Sequence, residues 1–458
     1  MAPAKSATRQ MKLALHIHAT GHHVAAWHHP RSQIDAGSNP RHYIEMAQLA
    51  ERGKFDLIFL ADSLAIRLGD VKAKGRWPQY LAYFEPLTLL STLAAATSRI
   101  GLVATASTSY TEPYNLARSF GSLDHLSAGR AGWNIVTTGN AASSRNFGRP
   151  EHFEHEDRYR RAQEFVEIVC GLWDSYDDDA FVMDRASGLY ADLDKMHVLH
   201  HEGESFSVEG PLNMRRPPQG RPVLFQAGTS ETGKETAARN ADVVFMQQQS
   251  LERCRSLRED IRGRLPKHGR DPDEILVMPG MAVTVGRTEA EAREQHDFLQ
   301  SKIHPDVGRA ILSAELGYID LPEMPLDEPF PLDLIPEIDG GVRSTAQALR
   351  RVVEAERPTV RELYQRYANG RGSHQIVGDA VQVADELEHW FRSGAGDGFI
   401  IQPAVLPGGL EDFVELVVPE LQRRGLYREE YEGATLRDHL GLARPESRYA
   451  RPALQDAN

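Results

Sequence analysis

Cysteine is nearly absent from this chain: two in 458 residues, Cys170 and Cys254, far apart and without metal-type spacing. A disulfide framework and a cysteine-rich zinc site are excluded on that count, and free thiols in a reducing compartment are expected. No apolar run approaches the ~20 residues that span a bilayer. The first ten residues are polar and lack the apolar stretch of a secretory leader, so a cytoplasmic location is expected.

An excess of positive charge is missing as well. Lys and Arg number 52 against 65 Asp and Glu, a formal charge of −13, which argues against nucleic acid and anionic membrane surfaces as partners. No solenoid-type repeat is present. No G-x-G-x-x-G follows a predicted strand; Gly394-Ala395-Gly396-Asp397-Gly398 precedes one instead, so a Rossmann NAD site is unsupported. Histidines cluster at 22–23, 28–29, 152/155 and 197/200/201 without forming HExxH or a Cys/His set, and no metal is expected.

What remains is ordinary globular composition, 41% apolar and 26% charged, arranged as strand-then-helix units. Short apolar runs predict strands at 12–19, 55–61, 100–105, 131–136, 222–227, 243–245, 276–285 and 399–401. Helical spacing follows each, over 40–53, 85–97, 113–126, 155–175, 231–240, 251–268, 379–391 and 410–424. Thr288 and Glu291 open a further helix as a capping box. Eight such units indicate an α/β fold, a (β/α)8 TIM barrel in one domain over 1–458, with insertions after strands two, four and seven. The third insertion, at about 303–372, reads as a lid without a core of its own. A polar tail at about 440–458 is expected to wrap the surface or fray.

Function in such a barrel sits at the carboxyl ends of the strands. Asp62 ends strand two. The stretch 127–138, SAGRAGWNIVTT, is a glycine turn feeding strand four, and it ends in Thr137-Thr138. Asn134 is the odd residue in it: a buried amide needs partners for donor and acceptor alike, and a neighbouring strand or a ligand could supply them. His22 and His23 follow strand one, placed for acid–base work or to donate to a reactive oxygen. His155 and Tyr159 share a helix face by their i, i+4 spacing and suit a phosphate or sugar hydroxyl, or a plain cap. Gly228 to Lys234 matches the phosphate loop GxxxxGK, but Glu235 stands where the metal-binding Ser or Thr belongs, so an NTPase is not expected. The free amides of that helix start, with Ser230, could still cradle one phosphate; an ordinary N-cap is the other reading.

Seven ordered stretches carry a family likeness: GHHVAAWHHP at 21–30, FLADS at 59–63, ATAST at 104–108, LDHLSAGRAGWNIVTT at 123–138, HEDRY at 155–159, AGTSETGKE at 227–235 and YEGATLRDHLGL at 431–442. Together they resemble the flavin-dependent monooxygenases related to nitrilotriacetate, EDTA and dibenzothiophene-sulfone monooxygenases, within the bacterial-luciferase-like superfamily. The resemblance implies an oxygenase component that takes FMN as FMNH2 from a separate NAD(P)H-dependent flavin reductase. With O2 it would form a C4a-(hydro)peroxyflavin and oxygenate a small organic substrate, an aminopolycarboxylate, an organosulfur compound or similar. Asp62 and Ser107 (or Thr108) would contact the flavin ring with Asn134; His155, Tyr159 and Ser230 would hold the ribityl phosphate, with Thr138 as a further ligand. His22 or His23 would face the peroxide, and Trp27 and His28 would wall the substrate pocket. His28 stands where relatives carry Arg, and His18 where they tend to be apolar. A homo-oligomer, dimer or tetramer, is usual in the superfamily. The alternatives are a deazaflavin-dependent oxidoreductase and a non-catalytic flavin-binding paralogue.

Overall fold

The computed structural model describes residues 9–66, 71–228, 230–336 and 344–450. Eight parallel strands close into a ring: β1 (Lys12–His16), β2 (Leu57–Leu60), β3 (Gly101–Ser107), β4 (Ala131–Val136), β5 (Val223–Ala227), β6 (Val243–Met246), β7 (Leu276–Val285) and β8 (Gly398–Pro403). Each pairs with its neighbours in order, and β8 returns to β1 with Leu13 opposite Phe399 and Leu15 opposite Ile401. The expected strands are all present. β1 is shorter than expected because the chain turns at Gly21, whose φ of 124° leaves only glycine comfortable there.

The alternation along each strand sorts the side chains. Outward residues such as Leu13, Ile58, Leu102, Trp133 and Val277 meet the surrounding helices, while Ala14, Phe59, Val103, Phe225, Phe245, Met278 and Ile400 fill the interior. The same period continues upward and places His16, Thr105, Asn134 and Gln402 inward, one layer above that apolar filling. The barrel helices include α1 (Pro40–Arg52), α2 (Pro86–Ala96), α3 (Pro113–Leu126), α4 (His155–Trp173), α5 (Glu231–Asn240) and α6 (Leu251–Arg264). The first three carry proline in the first turn, where its missing N–H costs nothing. The last ends four residues earlier than expected, in a 3-10 turn over Leu265–His268 that contains Pro266.

Two features are not foreseen from the sequence. Just before the expected tail, Thr435 caps a short helix, Leu436–Leu440, whose Leu436 and Leu440 enter the barrel's amino-terminal end and pack with the interior cluster. The insertion after β7 packs into an apolar cluster that it shares with the loops after β1 and β2. The expected helix α7 (Glu289–Ser301) leads into the insertion, and its helices α8 (Pro305–Glu315), α9 (Ser344–Glu356) and α10 (Val360–Tyr367) precede an unforeseen strand, His374–Gly378, which pairs with the carboxyl half of β7. Ile311, Leu312, Leu363 and Tyr364 gather there with Val24, Ala25 and Trp77 from the β1 and β2 loops. That shared cluster holds the insertion over the barrel mouth. No helix among the described residues is long and apolar enough to cross a membrane. Cys170 and Cys254 are buried free thiols.

Candidate active site

A cavity of about 320 Å³ opens at the carboxyl ends of β2, β3 and β4. Its floor is Thr105, Ser107, Val136 and Thr138, and the loop after β2 forms one wall from Asp62 to Ile66. Trp77, Gln79 and Tyr80, from the second part of that excursion, form another wall, and Ala310, Ala314, Tyr318 and Arg371 of the insertion roof it.

The floor is organised by hydroxyls. Ser107 and Thr138 hydrogen-bond to each other, and Ser109 N donates to Ser107 Oγ at 3.0 Å. Thr138 has a φ of 45°, a left-handed conformation unusual for a β-branched residue, and its carbonyl is pinned by His152 Nε2 and Arg158 at 2.8 Å each. Asn134 donates to Thr105 Oγ1 at 2.9 Å, but its buried Oδ1 has no partner. An amide acceptor left open beside the floor costs stability unless a ligand or water meets it. Asp62 accepts from Ser63 N at 2.8 Å and from the Tyr83 hydroxyl at 3.1 Å, and burial raises its carboxyl above the usual range.

The histidines after β1 divide. His22 Nε2 donates to the carbonyl of His16 at 2.9 Å, and its ring lies 4.6 Å from that of His16 and 4.4 Å from that of His18. The Gln79 amide lies 3.0 Å from His18 Nε2, which ties this group to the cavity wall. Burial holds His22 neutral, pushing it down to about 4. His23 points elsewhere: its Nδ1 accepts from Ala25 N at 3.1 Å, and it lies beside His296 with its pKa down at about 3 through burial. Trp27 donates to the Arg76 carbonyl at 2.9 Å, fastening the β1 loop to the wall segment, and exposed His28 covers its ring at 3.9 Å. Neither lines the cavity.

On the other side of the mouth, Ser230 is exposed and caps α5, accepting from Gly233 N at 3.1 Å. Gly228 before it has a φ of 144° and open space where a side chain would stand. Lys234 cannot serve a nucleotide: it pairs with Asp260 and Glu231, and Glu235 is bound by Arg264 and His268. Tyr159 is half-buried on α4; the side chain of His155 lies outside the described residues. Thus Asp62, Ser107 and Thr138 line one cavity with Asn134 just under it, whereas Tyr159 and Ser230 stand apart.

Arg371, unremarked in the sequence, is the largest polar group of the roof. It adopts φ 46°, ψ 57° between Gly370 and Gly372, itself a left-handed residue, and its Nε lies 4.0 Å from Glu315. The Gly-Arg-Gly triplet is the one trace of it in the sequence.

Comparisons with known proteins give the chain its family. Residues 20–397 match the family model described as luciferase-like monooxygenase. The chain is 49% identical to N-acetyl-S-(2-succino)cysteine monooxygenase of Bacillus subtilis (strain 168), over 97% of this chain and 100% of that one. It is 46% identical to nitrilotriacetate monooxygenase component A of Aminobacter aminovorans, over 98% and 100%. The solved EDTA monooxygenase from Chelativorans sp. BNC1 superposes with a TM-score of 0.80 at 33% identity, covering 95% of this chain and 99% of that one. With that coverage and a closed eight-stranded barrel, the chain belongs to the luciferase-like monooxygenase family and is a flavin-dependent monooxygenase.

Proposed function

We propose that this chain is the oxygenase component of a two-component system. A separate NAD(P)H-dependent reductase supplies FMN in its reduced form, and the chain uses it with O2 to place one oxygen atom on a small, carboxylate-bearing substrate. The observation that carries the reading is the polar inner wall, Thr105, Ser107, Asn134 and Thr138, set under an otherwise walled cavity. The open acceptor of Asn134 and the Ser107–Thr138 pair fit the polar edge of a flavin ring, and the amides at the start of α5 fit its phosphate.

When bound, reduced flavin supplies the two electrons that activate O2. The protein's own work is positional. Asp62, held by Ser63 and Tyr83, fixes one edge of the ring system, and the hydroxyl pair fixes the floor. Trp77, Tyr80 and the insertion exclude water, which strengthens every polar contact inside. Neutral His22, its Nε2–H committed to the His16 carbonyl, keeps Nδ1 as a proton acceptor beside the wall. Arg371 and Lys74 make the roof and wall cationic, which favours an anionic substrate. Two relatives are named for carboxylate-bearing compounds, N-acetyl-S-(2-succino)cysteine and nitrilotriacetate.

A screen of polycarboxylates and organosulfur acids with a generic reductase, FMN and NADH, read as oxygenated product, tests the proposal. Product from a carboxylate-bearing compound is expected. Tight FMN binding with no product from any of them, while neutral compounds are oxygenated, would overturn the substrate class.

A further inference from the structure

His16 and His18 project from the inner wall at β1 and just beyond it, two residues apart as a strand's period requires, and His22 folds back over them. The three ring centroids lie 4.4 to 4.7 Å apart, and one nitrogen of each ring is within 4.8 Å of the other two. Each ring also has a neighbour: His22 Nε2 donates to the His16 carbonyl at 2.9 Å, the Gln402 amide nitrogen lies 3.3 Å from His16 Nδ1, and the Gln79 amide nitrogen lies 3.0 Å from His18 Nε2 and 3.4 Å from His18 Nδ1. A metal-ligating imidazole donates its other N–H to an acceptor, as His22 does to the carbonyl; at His16 and His18 the acceptor is supplied when the Gln402 and Gln79 amides turn their oxygens inward, and Gln402 Oε1 is buried without a partner. His16 is 4% exposed, and its Nε2 has no hydrogen-bond partner at all.

We propose that His16, His18 and His22 form a binding site for a divalent d-block cation of the zinc, cobalt or nickel class. Zinc–nitrogen bonds of about 2.0–2.1 Å put tetrahedral ligand atoms ~3.3 Å apart, so the rings close by up to ~1.5 Å, through rotation of His18 and His22. A set of three imidazoles without a carboxylate selects against magnesium and calcium, which require oxygen ligands. Three protein ligands leave a fourth position for water or an anion. The sequence hid the site because its spacing, H-x-H-x3-H from strand into loop, matches none of the helical zinc motifs. Occupancy takes the His22 lone pair, so the ion blocks turnover reversibly. That effect rests on the function proposed above; binding does not.

The test is titration of the tag-free full-length protein, without flavin, with Co2+, read by calorimetry and by visible absorption. One equivalent should bind with the intense ligand-field bands of a four- or five-coordinate ion. His18→Gln and His16→Gln should each weaken binding by about tenfold or more, and Mg2+ should not compete. Circular dichroism confirms that each variant folds; His18, the more exposed of the two, keeps the test valid if His16→Gln does not. Equal affinity in wild type and variants, or weak octahedral bands alone, would overturn the site. Intact Co2+ binding with unaltered turnover would leave the site standing and overturn the role given to His22.

Discussion

Ser107 at the end of β3 and Thr138 just beyond β4 share a hydroxyl–hydroxyl hydrogen bond at the floor of the cavity. The pair joins two neighbouring strands one layer above Thr105 and Asn134, where Asn134 leaves an acceptor open. If this floor receives flavin, Ser107→Ala and Thr138→Val should each weaken FMN by roughly 1 kcal/mol, about fivefold, the usual worth of one hydrogen bond. Tyr159→Phe and Ser230→Ala should do the same from the phosphate end, and fluorescence quenching of FMN measures all four. Unchanged affinity in the latter pair would confine the cofactor to the described cavity.

Arg371 faces a different partner. Arg371→Gln should raise KM for a carboxylate substrate by roughly tenfold to a hundredfold, as one charged hydrogen bond is worth ~1.5–3 kcal/mol. FMN affinity should stay the same, and the loss should shrink when the substrate carboxylate is replaced by an amide. Steady-state kinetics on the acid and amide separate this from a general loosening of the roof.

Acid should destabilise the protein earlier than its carboxylates alone would require. His22 and His23 are held neutral by burial, down to about 4 and about 3 respectively, whereas an unfolded histidine protonates near pH 6.5. Below that value the unfolded chain binds more protons than the folded one. Each group then removes ~1.4 kcal/mol of stability per pH unit until its folded pKa is reached. Denaturation midpoints measured from pH 7 to pH 5 should fall steadily, and His23→Gln should reduce the slope by about one proton.

The barrel's lower plug offers a test of packing. A methyl on Gly101 would come within 2.4 Å of Leu436 Cδ1, so Gly101→Ala and Leu436 compete for one space. Leu436→Ala alone should cost ~2–5 kcal/mol by leaving a cavity. Gly101→Ala should also destabilise, and the double variant should be more stable than the sum of the two losses indicates. Chemical denaturation of the three variants measures that coupling.

How far the sequence reaches differs between fold and site. Runs such as AGWNIV at 131–136 and LVMPGMAVTV at 276–285 are apolar apart from Asn134 and Thr284 because both faces of a barrel strand are covered, and their limits agree with the structure. HQIVG at 374–378 is a strand as well, yet it is short, only partly buried and begins with two polar residues, so no pattern distinguishes it. Leu436 and Leu440 are two apolar residues in a charged stretch, and their i, i+4 spacing on a five-residue helix is too little to mark a plug. Asp62 and Thr138 are legible because strand ends in a barrel converge by construction, whereas Ser107 is reached through the family likeness. Trp77, Tyr80 and Arg371 are not legible, since they reach the cavity through the packing of an insertion that local sequence does not specify.

The most direct measurement is oxygen incorporation under 18O2, with a generic flavin reductase, FMN and NADH, on a carboxylate-bearing substrate. The proposed function requires one labelled oxygen atom in the product, dependent on FMN and on this protein, and lost in His22→Ala. NADH consumption that yields hydrogen peroxide but no labelled product, across substrates that bind, would contradict it.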